Sequence, residues 1–225
     1  MAQGSARGAR RAALFDMDRT LVRKETASLY VRYQREIGEA TLRDTLQVAY
    51  WVAQYTLGIL DAGAIAERAL VSLHGMHETV LSARCDDWFR RDVEVHIADR
   101  AREAVEFHRD RGDVLAIVTG ASPYVARPLA RHLRIPYIVA SELEMDEGRI
   151  FTGKPSYPLC LGDGKLERAS LLAQKLGFDL HEATFYSDSY TDLPLLGAVK
   201  EPVIVNPDIR LRRHAKKRGW RIEAW

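Results

Sequence analysis

Short apolar runs alternate with helix-spaced apolar positions along most of this chain, and the alternation breaks down in one long stretch. Ala12-Ala13-Leu14-Phe15 is closed off by Asp16 and Asp18. A run that short, bounded by polar residues, predicts a buried strand. Val114 to Val118, Tyr137 to Ala140, Ala183 to Ser187 and Val203 to Val205 repeat the pattern. Helices are expected over Arg100 to Asp110, from Pro123 onward, and from Lys165 through Leu176. Ser122 supplies an N-cap for the second, Pro123 a first helical position, and Gly177 a left-handed stop for the third. Leu143 to Phe151, turning at Asp146-Glu147-Gly148, reads as a hairpin. Strands alternating with helices predict a mostly parallel sheet covered on both faces.

The break runs from about residue 26 to residue 92, where strand signal vanishes. Leu29, Tyr30, Tyr33 and Ile37 recur at helical spacing and stop at Gly38. A second helix is expected from Thr41 towards Gly58. A third starts at Asp61 as N-cap and carries Ile65, Ala69, Leu70 and Leu73. A fourth carries Val80, Leu81, Trp88 and Phe89. Four helices with apolar faces can bury a small core of their own. The expected division is therefore a core of residues 1–22 and 93–225 and an inserted helical cap of residues 23–92.

Composition narrows the class. The chain has 225 residues, is 47% hydrophobic and 28% charged, and carries a formal net charge of +2. That balance is ordinary for a globular protein and gives no reason to expect a nucleic-acid partner. Cys85 and Cys160 stand in no ligand spacing and are expected to be free thiols of a cytoplasmic protein. The segment from Val48 to Leu60 is apolar, but Gln54 and Thr56 interrupt it. It is too short to span a bilayer, so no stable membrane insertion is expected. Nothing in the pattern sets an oligomeric state.

The candidate chemistry lies where strands end. In open parallel sheets, ligands bind beyond the carboxyl ends of the strands. Asp16 and Asp18 follow the first strand, Thr119 the second, and Asp188 and Asp192 the fourth; Lys165 opens the helix before that fourth strand. Carboxylates so close repel unless a cation cancels their charge, and Mg2+ takes oxygen ligands readily. Asp16, Asp18 and Asp188 would hold it. Thr119 and the amides of the next turn, including Gly120, would hold phosphoryl oxygens. Lys165 would offset charge gathering during transfer, with Asp192 supporting it or the metal.

These residues resemble the haloacid dehalogenase superfamily. Asp16-Met-Asp18-Arg-Thr20 matches its first motif, Ile117-Val118-Thr119-Gly120 its second, Gly164-Lys165 its third and Asp188-Ser-Tyr-Thr-Asp192 its fourth. The helical insertion after the first motif is most similar to subfamily IB, the phosphoserine-phosphatase-like group. That resemblance implies a five-stranded Rossmann-like core with a cap closing over the site. It implies Asp16 as nucleophile and Asp18 as general acid and then base, with the main-chain carbonyl of Asp18 on Mg2+. The substrate implied is a small phosphorylated metabolite such as phosphoserine or histidinol phosphate.

Several positions keep two readings. Arg19 departs from the usual small or polar residue of the first motif; it meets an anionic part of the substrate or lies in solvent. Glu25 matches an acidic position that faces the substrate amine in the phosphoserine phosphatases; otherwise it favours the first cap helix through the helix dipole. Lys154 rivals Lys165 but lacks a glycine-rich approach. His74 and His77 lack an acidic ligand set and predict no metal site. The basic stretch Arg210 to Arg218 is expected to be a solvated last helix packing through Leu211 and Ala215. A lipid-phosphate phosphatase, a phosphotransferase and a phosphate-binding regulatory protein without turnover stand as alternative functions.

Overall fold

The computed structural model describes residues 10–41, 43, 46, 50 and 62–225. Its centre is a parallel sheet of β1 (Ala12–Phe15), β2 (Val114–Val118), β3 (Tyr137–Val139), β6 (Thr184–Ser187), β7 (Glu201–Val205) and β8 (Arg221–Glu223), in the order β3-β2-β1-β6-β7-β8. Five of these strands are the expected ones. The sixth, β8, has only Ile222 between Arg221 and Glu223, a pattern too short and polar to stand out. It forms because Gly219, at φ 68°, ends the last helix in a left-handed turn and returns the chain beside β7.

Both faces of the sheet are covered, which is why β1 is buried along its whole length. Ala13 and Phe15 point into a core with Val105 of α4 (Asp99–Asp110) and Leu129 of α5 (Pro123–His132). Ala12 and Leu14 point the other way. There they meet Ala169 and Ala173 of α6 (Asp163–Leu176), Leu195 of α7 (Leu193–Ala198), and Leu211 and Ala215 of α8 (Ile209–Arg218). The basic last helix thus packs through the two residues expected of it.

Between β1 and α4 lie α1 (Thr26–Glu36), α2 (Ala62–Leu70) and α3 (Glu78–Trp88). The helix expected from Thr41 and the apolar segment Val48 to Leu60 fall outside the described residues, apart from Arg43, Leu46 and Tyr50, each of which is helical. Asp61 as N-cap and the side chain of Ile65 fall outside them too. No helix among the described residues is long and apolar enough to cross a membrane.

The hairpin is β4 (Leu143–Met145) with β5 (Phe151–Pro155). It is also bound to the helical segment. The Gly75 amide donates to the Phe151 carbonyl at 3.0 Å, Phe151 to Met76 at 2.9 Å, and Glu78 to Arg149 at 3.0 Å. Glu78 accepts from the Tyr124 hydroxyl at 2.9 Å and pairs with Arg149. Leu81, Cys85, Tyr124, Leu143 and Phe151 form a third apolar cluster beneath these bonds. Both cysteines are free and buried.

Candidate active site

Parallel strands bring their carboxyl ends to one edge, and the register fixes what meets there. Phe15 lies beside Ile117 on one side and Tyr186 on the other, so Asp16, Thr119 and Asp188 follow three adjacent strands. The Asp16 amide donates to the Tyr186 carbonyl at 2.9 Å, which ties the first motif to the fourth.

Lys165 is the joint of the site. Its Nζ lies 2.8 Å from Asp16 Oδ1 and 2.8 Å from Asp192 Oδ2, with its side chain buried. The Ser187 hydroxyl donates to the same Asp192 oxygen at 2.7 Å. Gly164 makes the approach possible: a Cβ there would stand 2.0 Å from the Leu159 carbonyl oxygen. Lys154 is exposed on β5. Burial would lower the Lys165 pKa, but the carboxylates of Asp16 and Asp192 outweigh it and raise it. Lys165 therefore stays an ammonium.

Asp18 sits in the turn after β1, closed by the Val22 amide donating to the Met17 carbonyl at 3.0 Å. Asp18 Oδ1 accepts from the Thr26 amide at 2.5 Å. It thereby takes an amide from the first turn of α1, where the helix dipole favours an anion. Glu25 occupies the N-cap position of α1 and makes no side-chain cap bond. Its Oε1 lies 4.0 Å from Arg19 Nε instead.

Arg19 takes a left-handed φ of 54°. Its guanidinium is neither in free solvent nor directed only outward: Nε is 3.5 Å from Asp188 Oδ2, and an Nη donates to the Asn206 carbonyl at 3.2 Å. Asn206 returns a bond from its Nδ2 to the Arg19 carbonyl at 3.1 Å. Asp208 orders the Asp188 loop. It accepts from the Tyr190 amide at 2.7 Å, and its own amide donates to the Asp188 carbonyl at 3.0 Å. Ser187, Asn206 and Asp208 were not singled out from the sequence. The available signal was that Asn206-Pro207-Asp208 ends β7 at the same sheet edge.

The Thr119 hydroxyl accepts from the Ala121 amide at 3.1 Å, so the turn after β2 is folded back on itself. A Cβ on Gly120 would stand 2.4 Å from Leu161 Cδ2, so the turn and the loop before α6 are in close contact.

The acidic groups bear on a metal. Burial raises the Asp16 pKa, with Asp192 and Asp18 adding and Lys165 opposing. Burial and the nearby Asp16 raise Asp188, with Arg19 opposing. Burial raises Asp18, with the Thr26 hydrogen bonds opposing. Such a set of crowded carboxylates lacks positive charge, and its hard oxygen donors suit Mg2+. Among the described residues, no three acidic, histidine or cysteine side chains form a ready-made cluster. The donor set expected here needs only two side chains, Asp16 and Asp188, with the Asp18 carbonyl and water, so the residues present fit the ion.

Comparison with known proteins agrees with the geometry. A family model described as haloacid dehalogenase-like hydrolase matches residues 13–197. A phosphoserine phosphatase of Mycobacterium tuberculosis is 34% identical over 216 residues, covering 94% of this chain and 70% of that protein. A histidinol-phosphatase of Neisseria meningitidis is 28% identical, covering 93% of this chain and 96% of that one. A crystal structure of a protein with unknown function from Bordetella pertussis superimposes with a TM-score of 0.86 at 30% identity, covering 95% of this chain and 98% of that one.

Proposed function

We infer the reaction from a premise the comparisons supply: the chain belongs to the haloacid dehalogenase-like hydrolase family and is a phosphoserine-phosphatase-like phosphatase. The proposed reaction is hydrolysis of a small phosphomonoester through an aspartyl-phosphate on Asp16, in a core of residues 1–22 and 93–225 beneath a cap of residues 23–92. The observation that carries it is the Lys165 bridge. Its ammonium holds Asp16 Oδ1, which leaves the other carboxylate oxygen to attack phosphorus.

As the Asp16–phosphorus bond forms, the bond from phosphorus to the alcohol oxygen breaks. Asp18, whose pKa burial raises against the opposing Thr26 hydrogen bonds, would give a proton to the departing alcohol. The Asp18 carboxylate then takes a proton from water as the water oxygen bonds to phosphorus and Asp16 is released. Inorganic phosphate leaves. Gly120 and Thr119 would hold the phosphoryl oxygens, and Lys165 would stabilise charge as it develops. Asp16, Asp188 and the Asp18 carbonyl would hold Mg2+, which supplies positive charge at the transferring group. Glu25 would meet an ammonium on the substrate, as in phosphoserine or an amino-alcohol phosphate such as histidinol phosphate.

Asp16→Asn tests the assignment, since an amide is a poor nucleophile. Hydrolysis of phenyl phosphate should fall by about three orders of magnitude or more, with the far-UV circular dichroism spectrum kept. Near-normal turnover in this variant would sink the mechanism.

A further inference from the structure

A cavity of about 170 Å³ lies beside the proposed phosphoryl cradle. Its wall includes Gly120 and Ser122 from the turn after β2, Leu143 from the hairpin, Leu159 and Leu161 from the loop before α6, and Leu70 from the end of α2. Gly120 and Ser122 flank Ala121, whose amide donates to the Thr119 hydroxyl. The cavity and the candidate phosphoryl donors therefore share one turn. A phosphomonoester seated on that turn would have this cavity beside it.

Among the described residues, the lining is aliphatic except for two serines. Ser141 already accepts from the Cys160 amide at 2.9 Å. Ser122 occupies the N-cap position of α5 but makes no side-chain bond to that helix. Serine at an N-cap ordinarily takes a helix amide; here the hydroxyl is uncommitted to the helix, and Ser122 is part of the cavity wall. Arg68 is exposed and is not part of the wall. A carboxylate placed here would lose water without gaining a cation from the described lining. An apolar ring meets no such penalty, and a dry cavity of about 150 Å³ holds benzene.

Resting on the phosphatase reading above, we propose that this cavity receives the substrate's alcohol portion, and that the substrate class is phosphomonoesters of alcohols bearing a small uncharged ring and no carboxylate. A ring nitrogen or hydroxyl would bond to Ser122. Glu25 lies outside this wall, with Arg19 Nε 4.0 Å from its Oε1, and would suit an ammonium on the same substrate. Phosphoserine, which carries a carboxylate and no ring, is a poor fit despite the chain's phosphoserine-phosphatase relatives.

The test is steady-state kinetics on phenyl phosphate, histidinol phosphate, phosphoethanolamine and phosphoserine with the full chain and Mg2+. Histidinol phosphate should exceed phosphoserine at least tenfold in kcat/KM, mostly through KM. Phosphoethanolamine, which lacks both carboxylate and ring, should fall between them. Leu70→Trp, filling the cavity, should erase the advantage of histidinol phosphate over phosphoethanolamine. Ser122→Ala, which removes no helix-cap bond, should raise KM for histidinol phosphate more than for phosphoethanolamine. Preference for phosphoserine, with Asp16-dependent phenyl phosphate hydrolysis intact, would overturn the substrate class and leave the reaction standing. Variants that scale every ester equally would also overturn it. No turnover of any ester by the wild type would overturn both readings.

Discussion

Arg19 shows how one side chain changes meaning once its surroundings are known. In the sequence it is an unusual residue in the first motif, with its target open. In the fold its guanidinium lies 3.5 Å from Asp188 and is held by the Asn206 carbonyl at 3.2 Å. It partly neutralises a carboxylate proposed as a Mg2+ ligand. A cation this close to the proposed metal site opposes a second cation. Arg19→Gln should therefore bind Mg2+ several-fold more tightly by calorimetry, while the metal-free variant melts at a lower temperature than the wild type. Weaker Mg2+ binding would show instead that Arg19 chiefly orients Asp188. Lys165, Asp16 and Asp188 were legible because their residue types, order and spacing carry the chemistry. The partner of Arg19 was not, because Asn206 lies 187 residues away.

At the scale of elements, the hairpin was legible and its attachment was not. Asp146-Glu147-Gly148 announces the turn, but nothing local says that residues 75–78 will bond along Arg149 and Phe151. Gly153 belongs to this attachment. It has φ 79°, and a Cβ would stand 3.1 Å from His74 Cβ. Gly153→Ala should cost about 1–2 kcal/mol from the left-handed backbone alone, read as a lower urea midpoint at unchanged slope. Gly197→Ala is the contrast: its Cβ position is open space within α7. Helix propensity there should make the change neutral or stabilising by up to about 1 kcal/mol. Equal losses at both positions would mean that the hairpin attachment is not under the constraint described.

For the whole molecule, the crowded carboxylates link stability to pH and to metal. Asp16 and Asp188 hold their protons above the ordinary carboxylate range, chiefly through burial. The folded chain then binds more protons than the unfolded chain as pH rises from about 4, so the contribution of these groups to stability falls. Buried His108 works the other way: burial lowers its pKa, so acidification destabilises through it. His108 lies between Asp113 and the Tyr186 hydroxyl rather than among the proposed metal ligands. Its effect therefore cancels when metal-free and Mg2+-loaded protein are compared at each pH. Mg2+ must displace protons at low pH and meets ionised carboxylates at high pH. The rise in melting temperature on adding Mg2+ should grow between about pH 5 and about pH 8. A rise that shrinks over that range would count against Asp16 and Asp188 as the ligands.

What the sequence by itself determined is local and compositional. Five apolar runs of strand length, the helices between them and the order of the four motifs follow from residues that act on their near neighbours. So does the use of Leu211 and Ala215 to seat a basic helix, since their spacing sets one face. Tertiary structure alone decided what depends on which segments become neighbours. It added β8, whose three residues gain strand geometry only from β7 beside them. It set Asn206 against Arg19, placed Asp208 under the Asp188 loop, and gave the Thr26 amide to Asp18 rather than to a capping Glu25. It also enclosed the cavity between Gly120, Leu143, Leu161 and Leu70, drawn from four separate stretches of chain. Burial and charge at these places are sums over distant groups, and the pattern along the chain records only the near ones.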